Sequence, residues 1–309
     1  FFNYPSANNH IFNTIGTWFF YQLFPSSLLS LRLLSLLSFP LYALAGYKLG
    51  KTMRLKRSRW LLWILLFGLH FAIEFFAYSR GYAWSFTALL GTLYLGSVFQ
   101  NHPSKKVLIQ IFFWLIICLG FNLNTLPFAL LTFIWLFYAQ GRFTLKNSFI
   151  TFSLGLLPFS FFTYYAFYLK QNDQLYYGES GHWFETTIPS LSEAFFSSAS
   201  TGASALFVAW LIIAFFTVIY SFKYTHFKKI SLAIFSLFGS IVGLSLLYFL
   251  FDINLPQDRV ALTLYFLLAV SVPTAVENLK VGFFSTLLAL SPGLITLPFL
   301  FQFNVDSSS

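Results

Sequence analysis

The 309-residue chain is 58% hydrophobic and 9% charged, with a mean hydropathy of +0.73 and a formal charge of +9. An ordinary soluble domain carries roughly 25% charged residues, so that class is excluded. The positive charge does not call for a nucleic-acid partner, because the Lys and Arg residues gather in short loops of the kind that face anionic lipid headgroups.

The sequence predicts an all-α, polytopic integral membrane protein of about ten transmembrane helices. An interfacial segment precedes them and one larger external loop interrupts them. Residues 1–26 are mixed aromatic and polar, and they read as an interfacial segment lying on the non-cytoplasmic surface, partly helical across Asn8–Phe24. A first bundle then occupies residues 27–169. Within it Ser27–Gly50 runs inward, Trp60–Ser79 outward, Tyr82–Phe99 inward, Val107–Phe121 outward, Leu126–Gln140 inward and Ser148–Leu169 outward. The turn Asn122-Leu123-Asn124-Thr125-Leu126-Pro127 could also be a re-entrant hairpin.

Residues 170–202 form the external loop, with Asp173, Glu179, His182, Glu185 and Glu193 and with Ser/Gly-rich ends at 178–181 and 197–202. In the second bundle, residues 203–309, Ala203–Phe222 runs inward, Ile230–Phe251 outward, Val260–Val276 inward and Val281–Phe301 outward, before a tail from Asn304. The two bundles together make one membrane domain.

Orientation follows from charge. Fourteen of the 18 basic residues fall in five loops: Lys48–Arg59, Lys105 with Lys106, Arg142 with Lys146, Lys223–Lys229, and Lys280. Loops rich in Lys and Arg stay in the cytoplasm, which puts these five on one side. Seven of the nine acidic residues fall on the other side. Lys170, Arg32, Arg80 and Arg259 stand there against the rule.

Those arginines are the chemical lead. Guanidinium grips phosphate oxygens in a bidentate manner and stays charged where water is scarce. Arg80 ends the stretch Glu74-Phe75-Phe76-Ala77-Tyr78-Ser79-Arg80-Gly81-Tyr82, in which a helix would put Glu74 and Tyr78 on one face. Arg259 follows Leu255-Pro256-Gln257-Asp258. Arg32 lies inside the first span, where an unpaired charge costs at least about 2.5 kcal/mol. Pairing of Arg80 or Arg32 with Glu74, or of Arg259 with Asp258 or Asp252, is the structural alternative to a shared anion site. Asn8, Asn9, His10 and Asn13 carry hydrogen-bonding groups suited to a sugar, and His10 could also move a proton. Cys118 is the only cysteine and lies in an apolar run, which excludes an intrachain disulfide and a cysteine-based metal site. The five histidines form no helical pair.

Taken in order, Tyr4-Pro5, Asn8-Asn9-His10-Ile11-Phe12-Asn13-Thr14, Leu31-Arg32-Leu33-Leu34-Ser35, Ser79-Arg80-Gly81-Tyr82 and Asp258-Arg259-Val260 resemble motifs of bacterial GT-C superfamily glycosyltransferases. The similarity is to the protein O-mannosyltransferase-like and aminoarabinose-transferase-like branch, and it spreads over most of the chain. The resemblance implies an active site at the non-cytoplasmic face of the cytoplasmic (inner) membrane. It implies transfer of a sugar, with inversion, from a polyprenyl-phosphate donor to a lipid, glycan or protein acceptor. Arg80, Arg259, Arg32 and Tyr82 would hold the donor phosphate. Asn8, Asn9, Asn13 and His182 would contact sugar or acceptor, with His10 and Glu74 as candidate catalytic groups and the 170–202 loop as a cover. The family's acidic residue is expected upstream of Phe1, together with a first span, because residues 1–26 hold no Asp or Glu. A divalent metal is compatible with the resemblance, though the sequence offers it no clear ligand set. Two rivals share the many spans: an O-antigen-type polymerase or ligase, and a lipid flippase or transporter without chemistry.

Overall fold

The structure is a computed structural model, and it describes residues 10–25, 27–68, 70–139, 145–172, 174, 181–196, 201–222, 230–251 and 254–279. These residues are all-helical, with 85% helix and no strand among them. The helices are α1 (Ile11–Leu23), α2 (Leu28–Thr52), α3 (Lys56–Phe67), α4 (His70–Glu74), α5 (Tyr82–Asn101) and α6 (Lys105–Phe121). After a 3-10 turn at Leu123–Thr125 come α7 (Leu126–Ala139), α8 (Leu145–Gln171), α9 (Thr187–Phe196), α10 (Thr201–Phe222), α11 (Leu232–Phe251) and α12 (Asp258–Leu279).

Among the described residues, three helices are long and apolar enough to cross a membrane, over Leu28–Thr52, Leu232–Leu250 and Asp258–Asn278. Their surroundings differ. The α12 segment is mostly buried in the protein, whereas α2 and α11 turn wide faces outward. Leu28 and Leu157 are each 77% exposed and Phe249 72%. Side chains of this kind spread over α2, α8, α10 and α11 make a surface far more apolar than soluble proteins present to water.

Local chemistry sets several helix starts. Ser27 and Ser104 are the N-cap residues of α2 and α6, and their hydroxyls accept the N–H groups of Leu29 at 3.2 Å and Val107 at 3.3 Å. Each cap satisfies a donor that the helix cannot pair internally. Pro25 and Pro103 stand just before them. The buried apolar side chains, from Tyr42 on α2 to Val276 on α12, form one large cluster that draws on both predicted bundles. At its centre Phe86 of α5 meets Phe266 of α12 with ring centroids 4.4 Å apart.

The predicted outward helix Trp60–Ser79 is corrected by the structure. Helix α3 stops at Phe67, α4 covers only His70–Glu74, and residues 75–81 are turns. Glu74 and Tyr78 therefore do not share a helical face. Ending α3 inside the core leaves carbonyls without helical partners, and buried carbonyls require donors. Gly68 N–H takes the Ile64 carbonyl at 2.7 Å. The hydroxyl of Tyr42 donates to Leu66 at 2.7 Å, and that of Tyr265 to Leu65 at 2.5 Å.

One end of the bundle collects the Lys48–Arg59 loop. The Glu277 carboxylate on α12 accepts the backbone N–H groups of Arg54 at 2.9 Å and Leu55 at 3.0 Å. Gln100 and Trp135 both donate to the Ile230 carbonyl, at 3.2 and 3.0 Å, which brings the ends of α5 and α7 to the start of α11. Val218, Ile230, Ile234 and Ala275 pack together there. Segments that the charge pattern assigned to one side are thus neighbours. The predicted span Val281–Phe301, the tail, Asp173, Glu179, Asp252, Arg142, Lys223–Lys229, Lys280 and most of the Ser/Gly-rich loop ends lie outside the described residues.

Candidate functional site

The opposite end of the bundle is organised around Gly81. This residue precedes α5 where the chain crosses the end of α6. A Cβ on it would stand 1.9 Å from the Phe121 carbonyl oxygen and 2.8 Å from Cγ of His10. Only glycine permits that approach, and it seats His10, the residue before α1, against the first turn of α5. The His10 and Tyr82 rings pack edge to face with centroids 5.1 Å apart.

His10 is buried. Its Nδ1 has no hydrogen-bond partner among the described residues. Burial first, then the positive charges of Arg259 and Arg80, lower its pKa from 6.5 to about 4. An imidazole placed in this way is neutral at physiological pH. It is a weak proton acceptor but a ready hydrogen-bond partner.

Tyr82 joins the two arginine motifs. The side chains of Arg259 and Asn124 lie within hydrogen-bonding reach of its hydroxyl, and the Arg80 charge acts on it as well. Arg80 is exposed, and its backbone is pinned by Ser35 Oγ, which donates to the Arg80 carbonyl at 3.4 Å. Arg259 is half-buried in the first turn of α12. The preceding Asp258 has a left-handed φ of 46°, unusual for a residue other than glycine. Its backbone N–H donates to the Ser190 hydroxyl of α9, and that hydroxyl donates to Asp258 Oδ1 at 3.2 Å. Helix α9 thus holds the start of α12.

Two asparagines complete the polar ring. Asn13 donates to the Ser79 carbonyl at 3.5 Å, and its Oδ1 is buried without a partner among the described residues. Asn122 Oδ1 accepts the Asn124 N–H at 3.1 Å, while its Nδ2 is likewise buried and unpartnered. Beside Asn124 opens a cavity of about 190 Å³, lined by Lys170 and Asn254 together with Phe128, Phe167 and Leu264. A wider apolar groove of about 580 Å³ runs between α9, α10, α11 and α12, and Leu264 lines it too.

The structure therefore brings together His10, Asn13, Arg80, Tyr82 and Arg259 of the predicted site. Arg32 is exposed on α2, and the charges acting on His10 are those of Arg259 and Arg80. Glu74 is half-buried at the end of α4, its carbonyl accepting the Ala77 N–H at 2.8 Å. His182 lies against α11 instead, with Nδ1 3.2 Å from the Tyr248 hydroxyl. Asn8 and Asn9 lie outside the described residues. Asn122 and Asn124 were not among the predicted site residues. Their signal was two amides in a turn between apolar runs at the same end as Arg80.

No family model, curated protein or solved structure compared with the chain matches it. The site is judged on its own chemistry. Among the described residues no group of three or more His, Cys, Asp or Glu side chains converges to hold a metal ion. What the cluster offers is two guanidinium groups, a phenol, a neutral imidazole and three amides. Such a set suits an anion with a hydroxyl-rich substituent.

Proposed function

We propose that this chain is an integral membrane glycosyltransferase that moves a sugar from a polyprenyl-phosphate donor to an acceptor at the non-cytoplasmic face, with inversion. The observation that carries the reading is the meeting of Arg80 and Arg259 around His10 and Tyr82. These arginines are distant in sequence and each breaks the charge rule.

In the reaction the acceptor attacks the anomeric carbon as the bond from that carbon to the phosphate oxygen breaks. The electron pair leaves with the polyprenyl phosphate, and the acceptor's proton passes to solvent. Fixed cations stabilise charge that develops on a leaving group without having to reorganise. Arg80 and Arg259 take that role here, and Tyr82 orients Arg259. Asn13, Asn122 and the neutral His10 accept and donate hydrogen bonds to sugar hydroxyls. The apolar groove beside α12 suits an isoprenoid chain, and α9 reaches the site through Ser190. Ten crossings, the second of them broken between α3 and α4, with the Lys48–Arg59 loop inside, belong to this reading.

The test is release of free polyprenyl phosphate by the purified protein, given a mixed pool of polyprenyl-phosphate sugars. Wild type releases it. Arg80→Ala and Arg259→Ala, still folded, each lose about 10²–10³-fold in rate. Binding of the lipid without release from any donor would sink the reading and favour a flippase.

A further inference from the structure

A second site lies at the basic end of the bundle, in a cleft that the transferase reading does not use. Helices α2, α5 and α6 enclose a cavity of about 260 Å³ there. Its floor is α5, kept low by Gly91, where a Cβ would stand 3.1 Å from the Trp114 ring. Leu41, Leu44 and Lys48 form one wall along a single face of α2, and Gln110 and Trp114 of α6 form the other. The polarity is graded along the cleft. Lys48 marks the basic end, and Leu44 and Leu41 lie one and two turns deeper, about 10 Å along the helix.

The charge at the mouth is one-sided. The Lys48 ammonium leans into the cleft, 5.9 Å from the centroid of the Tyr94 ring. Lys106 lies one helical turn before Gln110 on α6, and Lys105 precedes it. Among the described residues, no acidic one lines the cavity. Around the same level Tyr47 stacks on Trp63, and Trp60 is 60% exposed. Exposed aromatics of this kind mark the boundary between headgroups and acyl chains. The cleft therefore presents a cationic, hydrogen-bonding end at headgroup depth and an apolar end at acyl-chain depth.

We infer that the α2–α5–α6 cleft binds one anionic phospholipid of the leaflet at the basic end, its phosphate held by Lys48 and Gln110 and an acyl chain lying along Leu44, Leu41 and Trp114. Basic pockets between membrane helices select anionic headgroups through their charge. The apolar floor adds chain burial that a free phosphate cannot supply. The inference rests on the helices crossing a membrane and does not depend on glycosyl transfer.

The test uses the full chain in phosphatidylcholine nanodiscs that carry either brominated phosphatidylglycerol or brominated phosphatidylcholine. Bromine quenches tryptophan fluorescence on contact. The Trp114 signal is isolated by comparison with Trp114→Phe. Leu44→Trp, an exposed position on the facing wall, reads the same cleft if that variant fails to fold. The expected result is quenching by the anionic lipid at a several-fold lower mole fraction than by the zwitterionic one, with the difference abolished by Lys48→Gln. Equal quenching by both lipids, or a preference that survives Lys48→Gln, would overturn the site. Failure of the chain to enter nanodiscs at all would overturn the membrane reading beneath it. A preference for the anionic lipid stands whether or not polyprenyl phosphate is released in the activity test.

Discussion

His10 shows how a single side chain is defined by its surroundings. Unfolded, its imidazole takes up a proton near pH 6.5; folded, burial and the charges of Arg259 and Arg80 hold that back to about 4. Between those values the unfolded chain binds more protons, so stability rises with pH across the window. The contribution is fully present above 6.5 and is lost as the pH falls through about 4. It amounts to something on the order of 3 kcal/mol. Carboxylates titrate nearby, so the diagnostic quantity is a difference. Thermal unfolding in detergent between pH 7 and pH 4 is expected to destabilise wild type more than His10→Gln, and parallel curves for the two would refute the assignment. The Asn-Asn-His run was enough to make His10 a candidate. Its neutral state was not legible there, because that depends on a guanidinium far along the chain and on how closely Gly81 lets α5 approach.

At the level of elements, helix positions were legible wherever an apolar run met a clear stop. The starts of α2, α5, α7 and α12 lie within two residues of their predicted positions. The failure at α3 and α4 has a physical cause. Hydropathy across Trp60–Ser79 is continuous, and nothing local halts the helix except Gly68. What sustains the break is a pair of hydroxyl donors, Tyr42 and Tyr265, which lie 24 and 200 residues from the carbonyls they serve. Both tyrosines are almost fully buried, so water cannot replace them. Tyr42→Phe and Tyr265→Phe keep the ring and remove only the donor. Each is expected to cost roughly 1–3 kcal/mol for the carbonyl left unpaired, read as a lower midpoint of thermal unfolding. The double variant should show less than the sum of the singles, because a helix end already loosened by one loss can relax for the second. Unchanged stability in both single variants would mean that the break is maintained by other forces.

For the whole molecule the informative regularity is that charge order along the chain and contacts in space agree. The Lys48–Arg59 loop meets Glu277, and the end of α5 meets the start of α11, as a repeated alternation between two sides requires. Arg80, Arg259, Asn122 and His10 gather at the far end. The charge rule alone could give sides but not neighbours. Nor could it show that α9 would bind the start of α12 through Ser190. The alternation makes a prediction that neither hydropathy nor packing makes alone, because a bundle with the same contacts could sit in the membrane either way up. Lys51 and His182 are both exposed and belong to opposite ends, while the native Cys118 is buried and unavailable to reagents. In intact cells Lys51→Cys should resist a membrane-impermeant maleimide until the membrane is permeabilised, whereas His182→Cys should react at once. Cytoplasmic retention of basic loops requires that order. The reverse order would turn the arginine cluster toward the cytoplasm, where a donor carried on the outer leaflet could not reach it. Equal reactivity of both positions in intact cells would remove the membrane from between them.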